Sequence, residues 1–519
     1  MICSLGAFSQ DLKTKPNWFN LDKEQDGLNG MSVEKAYKEL LSGKPAQTVI
    51  VGVIDSGVDI EHEDLKDVIW VNEDEIPGNG IDDDKNGFVD DVNGWDFIGG
   101  ADGQDLVREQ LESVRLLIKY DELFGENPKK RLLRKYKNEY NEYQKIKREI
   151  EEKKAEAAQY LPMYEGLKET FSKVEEALKE QLGTDELTVA KVEGIVDEEV
   201  DLKIRQAKRY WLYMTDQGVS QKAIEEGIDH FNSQLNFNYN KDFHPRDVVG
   251  DNPDKLEYAK YGNNEVTGPR ALHGTHVSGI IAANRGNNLG IKGVADHVKI
   301  MVIRTVPDGD ERDKDVANAI RYAADNGAQI INMSFGKPYS PDKEWVDEAV
   351  KYAQSKGVLM VAAAGNESEN IDEKPHYPTK HYLKGGQADN WITVGALSHE
   401  TGPDMVANFS NYGKENVDIF APGVDIYSTV PGSKYEEQGG TSMASPAVAG
   451  VAALIKSYYP ALSAAQIKDA ILNSAVKINE EVKQPGSEGL VPFSDLCLTG
   501  GIINAYRALQ LADQMTKAQ

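Results

Sequence analysis

The chain has 519 residues, a length that indicates more than one domain. Hydrophobic residues make up 40% of it and charged residues 28%, so there is enough apolar material for one large core. Its formal net charge of −27 argues against nucleic acid or an anionic membrane as partner, because both attract cationic surfaces. The two cysteines, Cys3 and Cys497, lie near opposite ends of the chain and predict no disulfide framework. No run approaches the roughly 18 consecutive apolar residues of a membrane span.

The first ten residues, MICSLGAFSQ, resemble the end of a secretory signal, because they are apolar and finish in small residues. They lack the charged start and the full apolar stretch of such a signal, so an ordinary terminus is the alternative. We predict that residues 1–45 are a leader remnant followed by an N-terminal extension. The expected location is outside the cytoplasm: secreted, periplasmic or associated with the cell surface.

The apolar run TVIVGVIDSGVDI, from Thr48 to Ile60, is the first predicted strand. A short apolar run that stops at turn residues is typical of a buried strand in a parallel sheet. Asp55 then stands at the carboxyl end of the strand, the edge at which such sheets bind ligands. Asp59 is a weaker candidate, since it lies beyond the end of the strand.

The acidic stretch NGIDDDKNGFVDDVNGWDF, from Asn79 to Phe97, follows the first eight positions of a calcium-binding loop. Oxygen-bearing side chains alternate, a glycine permits a sharp turn, and a main-chain carbonyl takes the seventh position. Asn93 stands where an EF-hand has its final glutamate, so a true EF-hand is not expected. We predict a structural calcium site, with a solvated acidic turn as the alternative. The predicted ligands are Asp82, Asp84, Asn86, the carbonyl of Phe88, and Asp90 or Asp91.

Residues 105–240 interrupt the strand pattern with a charged, helical sequence. Tyrosines and aliphatic residues recur at steps of three and four from Tyr136 to Ile150, and again from Tyr160 to Leu178. Such narrow apolar stripes predict a helical hairpin or small bundle, with a kink or reversal at Pro162. We expect an inserted subdomain that could bind a partner or drive oligomerisation. A plain seam between helices is the alternative.

Beyond the insertion, residues 241–519 alternate apolar runs with amphipathic helix patterns. VKIMVIRTV, AQIINMSFG, GVLMVAAAGN and WITVGAL predict strands, whereas DKDVANAIRYAADNG and KEWVDEAVKYAQSKG predict helices that end at glycine. Strands that alternate with helices of this length indicate an α/β fold with a doubly wound, mostly parallel sheet. Together with residues 46–104, this part would form one discontinuous domain.

Two further motifs complete a set of side chains suited to nucleophilic catalysis. LHGTHVSGIIAA puts His273 at the start of one helix, and GGTSMASP puts Ser442 at the start of another. A serine becomes an effective nucleophile when a base takes its proton; an imidazole suits that task near neutral pH, and a carboxylate orients the ring. Asn366, in the turn of VAAAGNES, could donate its amide to an oxyanion beside the Ser442 N–H.

Neighbouring residues offer rival interpretations. His276, about one helical turn after His273, could form a metal pair with it, but no third zinc-type ligand accompanies them. We therefore expect His276 to be structural. Ser445 is a rival nucleophile, although Pro446 follows it inside the helix. We expect His62 to lie at the surface.

The motifs resemble those of the subtilisin-like serine proteases, the subtilases. VIDSGVD is similar to their aspartate motif, HGTHVSGIIAA to their histidine motif and GTSMASPAVAG to their serine motif, in the family's order. AAAGN is similar to their oxyanion asparagine motif, and NMSFG to their substrate-binding strand. The likeness covers residues 46–104 and 241–500, roughly two-thirds of the chain.

The resemblance implies a serine endopeptidase that acts on protein or peptide substrates through an acyl-enzyme. Asp55 would orient the base, His273 would act as general base, and Ser442 would be the nucleophile, with Asn366 donating to the oxyanion. The alternative is a binding or scaffold protein built on an inactive α/β body. An extended substrate would pair, as an added strand, with Ser334, Phe335 and Gly336.

Two features depart from the family pattern. Asp55 and His273 lie much further apart in sequence than in simpler subtilases, and the helical insertion accounts for the difference. The stretch from Asp11 to Gln47 is short for the family's folding propeptide. Whether this chain needs such a segment is therefore open.

Overall fold

The structure is a computed structural model that describes residues 15–258 and 261–518. The predicted leader remnant MICSLGAFSQ lies outside the described residues. The chain divides into two compact units. We refer to Ser113–His244 as the helical unit, and to residues 15–112 with 245–518 as the sheet unit.

The strands of the described residues all belong to the sheet unit. They are β1 Val49–Asp55, β2 Gly94–Asp96, β3 Val298–Arg304, β4 Ile330–Met333, β5 Leu359–Ala363, β6 Trp391–Leu397, β7 Ile419–Pro422, β8 Ile426–Val430, β9 Lys434–Gln438, β10 Val476–Lys477, β11 Glu481–Lys483, β12 Leu490–Pro492 and β13 Gly501–Ile502.

Nine of these strands form one sheet in the order β10-β13-β7-β6-β5-β4-β1-β3-β2. Its neighbours are parallel except for β10 and β13, which pair antiparallel at one edge. The pairs β8–β9 and β11–β12 form separate hairpins in the described chain. The strands predicted from the apolar runs are β1, β3, β4, β5 and β6, so the predicted mostly parallel α/β sheet is confirmed.

The helices cover both faces of this sheet or form the helical unit. They are α1 Lys23–Asp26, α2 Val33–Ala36, α3 Glu112–Phe124, α4 Lys130–Lys135, α5 Lys137–Leu182, α6 Val189–Glu193, α7 Leu202–Asp216, α8 Gln221–Ser233, α9 Leu272–Ala282, α10 Asp313–Asp325, α11 Lys343–Ser355, α12 Thr441–Tyr458, α13 Ala464–Asn473 and α14 Ala505–Lys517. Among the helices of the described residues, none is both long and apolar enough to cross a membrane.

Alternate residues of the central strands point into two hydrophobic cores. Val51 and Val53 of β1 pack in one core with residues of α9, α12 and α14, whereas Ile54 packs in the other with residues of α10 and α11. This alternation follows from the two-residue period of a strand and makes the sheet doubly wound. The predicted helices α10 and α11 are followed by Gly327 and Gly357, whose φ angles of 83° and 79° suit the left-handed position after a helix.

In the helical unit, the predicted reversal at Pro162 is wrong. The helix α5 runs through that residue for 46 residues. Proline lacks an N–H and removes one helical hydrogen bond, but neighbouring contacts stabilise the segment: Tyr160 stacks on Phe231 with ring centroids 5.4 Å apart. Further along, Phe171 and Trp211 belong to a buried cluster between α5 and the shorter helices.

The segment before β1 is part of the main core of the sheet unit. Trp18, Phe19 and Leu41 are almost fully buried in the cluster that also contains the apolar face of α12. Hydrogen bonds fix the segment in place: Trp18 Nε1 donates to Asp425 O at 3.0 Å. Residues 15–47 therefore pack as part of the folded sheet unit.

The substitution Leu41→Ala tests this packing. Leu41 is 2% exposed, so removing its methyl groups should lower the free energy of unfolding of the sheet unit by about 2–5 kcal/mol. The matched control is Leu383→Ala in the same unit, because Leu383 is 64% exposed and its loss should change stability by less than about 0.5 kcal/mol. Chemical denaturation followed by tryptophan fluorescence measures both, and equal effects would contradict the assignment.

Candidate active site

Asp55 and His273 form a direct hydrogen bond at the carboxyl edge of the sheet. Asp55 ends β1 and is 1% exposed, and His273 lies in the first turn of α9. Oδ1 of Asp55 accepts from Nδ1 of His273 at 2.7 Å and from the Ser56 N–H at 2.8 Å. Because an ionised carboxylate only accepts, Nδ1 carries the proton, and Nε2 of the neutral ring has a free lone pair.

The two histidines of α9 have opposite electrostatic environments. Burial lowers the pKa of His273, but the charge of Asp55 and its hydrogen bond outweigh burial and raise the pKa above the ordinary histidine value. Burial lowers the pKa of His276 to about 3. Nε2 of His276 donates to the carbonyls of Ile426 and Glu436 at 2.9 and 3.1 Å. His276 is thus neutral and structural, as expected.

Ser442 lies in the first turn of α12, at the end of β4, which is the strand next to β1. Its hydroxyl donates to the carbonyl of Ser334 at 3.0 Å, and the Ser334 hydroxyl donates to the carbonyl of Ser442 at 2.9 Å. Ser334 directly follows β4, in which Met333 pairs with Ile54 of β1. This exchange holds Ser442 at the carboxyl end of β4, the strand next to β1, which ends at Asp55.

Asn366 is bound to the first turn of the same helix. Its Oδ1 accepts from the Thr441 N–H at 2.9 Å and from the Thr441 hydroxyl at 3.0 Å. A Cβ placed on Gly440 would lie 3.6 Å from Asn366 Nδ2 and 3.5 Å from the Ser442 N–H nitrogen. The glycine therefore leaves both of these donors uncovered.

The segment Ser334–Gly336 is suited to pairing with another strand. Ser334 and Phe335 are buried, and Gly336 is partly exposed. Within the described part of the chain, the main-chain groups of Phe335 and Gly336 have no main-chain hydrogen-bond partner. They are left available to an extended peptide.

A buried lysine that sequence reasoning missed supports this segment. Nζ of Lys337 donates to Glu112 Oε2 and to the carbonyl of Glu311, both at 2.7 Å, and lies 2.9 Å from Asp313 Oδ1. Its side chain is only 2% exposed. The one signal in the sequence is the position of Lys337 directly after NMSFG, which does not predict burial.

Two other residues have roles different from a nucleophile or a surface group. Ser445 is fully buried, and its hydroxyl donates to Asn332 Oδ1 at 2.8 Å. Asn332 in turn donates to the Ser334 hydroxyl at 3.0 Å, so Ser445 supports Ser334.

The prediction that His62 lies at the surface is wrong. His62 is fully buried. Both of its ring nitrogens have partners in the interior: Nε2 donates to the Lys434 carbonyl at 3.0 Å, and Nδ1 accepts from the Asp64 N–H at 3.1 Å.

The acidic loop brings three carboxylates together. Oxygens of Glu75, Asp82 and Asp84 lie within 4.8 Å of one another, and such a group could hold a metal ion. Sequence reasoning missed Glu75, because it precedes the calcium-loop pattern.

The other predicted ligands make different contacts. Asp90 accepts from the N–H groups of Asn79 and Gly80, and Asn86 Oδ1 accepts from the Phe88 N–H. Asp91 accepts from the Tyr322 hydroxyl at 2.6 Å. Asp82 and Asp84 thus belong to the carboxylate group, and Asn86 lies directly beside it, because its N–H and amide donate to these two residues.

Comparison with known proteins identifies the family. The model of the subtilase family matches residues 46–491. The chain belongs to the subtilase family. It is 38% identical over 258 residues to the thermophilic serine proteinase of Bacillus sp. (strain AK1), a match that covers 50% of this chain and 56% of that protein.

Thermitase is another relative of this subtilase, and the solved structure of a maturation protease is also similar to it. Thermitase of Thermoactinomyces vulgaris is 38% identical over 239 residues, which are 46% of this chain and 75% of thermitase. The solved structure of the prenylagaramide maturation protease PagA is 29% identical and covers 46% of this chain and 82% of its own, with a TM-score of 0.38. By its family and its curated relatives, the chain is a subtilisin-like serine endopeptidase.

The substitution Asp55→Asn should lower the pKa of His273, because the charge that outweighs burial is lost. In the unmodified protein, the pair stabilises the folded state at pH values below the ordinary histidine pKa. That contribution disappears as the pH rises through the raised pKa of the folded protein.

Titration of the histidine Cε1 protons by NMR measures this shift. His276 is an internal control, because it should stay neutral from about pH 5 to 9 in both proteins. Asp59→Asn is the control variant and should leave His273 unchanged. Identical His273 titrations in the Asp55→Asn and unmodified proteins would contradict the electrostatic assignment.

Proposed function

We propose that this subtilase hydrolyses peptide bonds of protein or peptide substrates through a Ser-His-Asp triad and an acyl-enzyme intermediate. The observation that carries the proposal is the 2.7 Å hydrogen bond from His273 to Asp55, at the sheet edge to which Ser334 holds Ser442. Family membership supports it independently.

The first half of the reaction uses the hydroxyl, the imidazole and the carboxylate in turn. The Ser442 hydroxyl turns from the Ser334 carbonyl towards His273 and attacks the substrate carbonyl as Nε2 takes its proton. Asp55 stabilises the imidazolium that forms. Asn366 Nδ2 and the Ser442 N–H donate to the oxyanion of the tetrahedral intermediate.

The second half releases the products. His273 returns the proton to the leaving amine, and the acyl group stays on Ser442. Water, deprotonated by the same imidazole, then hydrolyses the ester. Throughout, the substrate backbone would pair with the segment Ser334–Gly336, in which the main-chain groups of Phe335 and Gly336 are available, and this pairing would hold the scissile bond in register with Ser442.

We propose that the acidic loop binds calcium in a structural role. Glu75, Asp82 and Asp84 supply hard carboxylate oxygens, which calcium prefers, and their convergence fits a divalent cation. Asn86, the Phe88 carbonyl, Asp90 and Asp91 stay predicted ligands. The cation would offset repulsion among the carboxylates and has no step in the reaction.

The remaining proposals concern organisation and location. We propose that residues 105–240 are an inserted subdomain, which the compact helical unit at 113–244 supports. A role for it in partner binding or oligomerisation stays a prediction. We also propose that the enzyme acts outside the cytoplasm: secreted, periplasmic or at the cell surface, in keeping with its relationship to subtilisins.

A serine-directed fluorophosphonate tests the function directly. We expect it to label the protein at Ser442, because an activated hydroxyl reacts with phosphorus as it does with a carbonyl. Ser442→Ala should abolish labelling, whereas Ser445→Ala, which removes the rival serine, should keep it. Intact-mass spectrometry measures the adduct. A folded protein that is not labelled would favour the inactive scaffold instead.

Removal of calcium by a chelator should lower the melting temperature of the protein. A ligand at 100 times its Kd stabilises the folded state by about 2.7 kcal/mol, and that contribution is lost on chelation. Glu75→Gln should remove the difference between the calcium-loaded and chelated proteins. Glu73→Gln is the matched control, because Glu73 is an exposed carboxylate outside the group and should preserve it. Calorimetry that finds no effect of chelation would contradict the site.

A further inference from the structure

The imidazole of His376 fills the space between the two segments that flank Ser442. A Cβ placed on Gly336 would lie 2.1 Å from Nε2 of His376, and one placed on Gly365 would lie 2.9 Å from its Cε1. Both distances are shorter than non-bonded atoms allow, so glycine is needed at both positions while the ring stays there. The His376 side chain is 13% exposed, so part of the ring is accessible to solvent.

The main chain fixes the position of this ring. Tyr377 and Lys337 exchange two main-chain hydrogen bonds of 2.9 Å, which bridge the residue after His376 to the residue after Gly336. Nδ1 of His376 is 3.8 Å from a carboxylate oxygen of Glu367, beyond hydrogen-bonding distance. In the described residues the ring nitrogens have no hydrogen-bond partner, so internal hydrogen bonds do not account for the ring's position.

A bound substrate would direct one side chain to the same space. The scissile carbonyl would lie between the Ser442 hydroxyl and Asn366 Nδ2. The side chain of the residue that supplies this carbonyl would then begin between Ser334–Gly336 and Gly365–Glu367. His376 already occupies the far end of that interval and leaves little depth.

We propose that His376 determines specificity, so that the enzyme cleaves after small uncharged residues such as alanine or serine and rejects phenylalanine and leucine. This inference rests on the proposed function of the site. The exposed carboxylate of Glu367, directly after Asn366, adds repulsion against aspartate and glutamate at the same substrate position.

A neighbouring cavity explains why the imidazole has a large effect on the available space. The cavity has a volume of about 220 Å³ and borders His376. With the imidazole removed, the cavity and the interval between the segments would join into a pocket deep enough for an aromatic ring. Its other lining residues include Ala363, Ala364, Tyr377, Pro378 and Thr393.

The test uses peptides that differ only in the residue before the scissile bond: alanine, phenylalanine or glutamate. For the unmodified enzyme, we expect kcat/KM for alanine to exceed that for phenylalanine by at least about tenfold. In His376→Ala, we expect the phenylalanine-to-alanine ratio to rise by at least about tenfold, since pockets discriminate about 10–200-fold per methylene group.

Two variants distinguish the preference for the size of the residue before the scissile bond from the preference for its charge. His297→Ala is the matched control, because His297 is an exposed histidine that does not line this cavity, and its loss should leave all ratios unchanged. Glu367→Gln should raise the glutamate-to-alanine ratio and leave the phenylalanine-to-alanine ratio unchanged. If Glu367→Gln alters only the size preference, the assignment of charge repulsion to Glu367 is wrong.

The outcomes distinguish this inference from the proposed function. Fluorophosphonate labelling of each protein reports whether Ser442 is activated, whatever the substrate preference. A labelled enzyme that prefers phenylalanine or leucine, or a labelled His376→Ala variant with an unchanged ratio, overturns the inference and leaves the proposed function in place. If His376→Ala does not fold, the preference of the unmodified enzyme decides.

Discussion

The hydrogen bond between Asp55 and His273 connects two parts of the chain that the helical insertion separates in sequence. It forms at the edge where parallel strands end together, and the rest of the site assembles around it. Because Asp55 is buried, its charge is weakly screened, and it raises the pKa of His273 although burial acts in the opposite direction. The segment Ser334–Gly336 and the first turn of α12 are joined to each other by the hydrogen bonds between Ser334 and Ser442.

Buried polar groups hold those neighbouring segments rather than react. Ser445, Asn332 and Ser334 form a line of hydrogen bonds that ends at the main chain of Ser442. Lys337 binds carboxylates and a carbonyl directly after the substrate-binding segment. Each of these buried side chains has a hydrogen-bond partner, which offsets the cost of removing it from water and holds the backbone in one position.

The acidic loop is attached to the sheet unit by contacts that do not involve a cation. Phe88 packs edge-on against Trp95 and Tyr322, with ring centroids 5.0 and 4.8 Å apart. The Tyr322 hydroxyl also donates to Asp91. These contacts position the loop, and the carboxylates of Glu75, Asp82 and Asp84 come close enough together to hold a metal ion.

Local sequence pattern was sufficient to predict several features. Apolar runs and helical periodicity predicted β1, β3 to β6, α10 and α11, and the motif order predicted the family. The three-dimensional structure was needed to establish that α5 continues through Pro162, that His62 is buried, that Glu75 joins Asp82 and Asp84, and that His376 lies between Gly336 and Gly365. Periodicity and motifs report on neighbours along the chain, whereas burial and convergence depend on packing between distant segments.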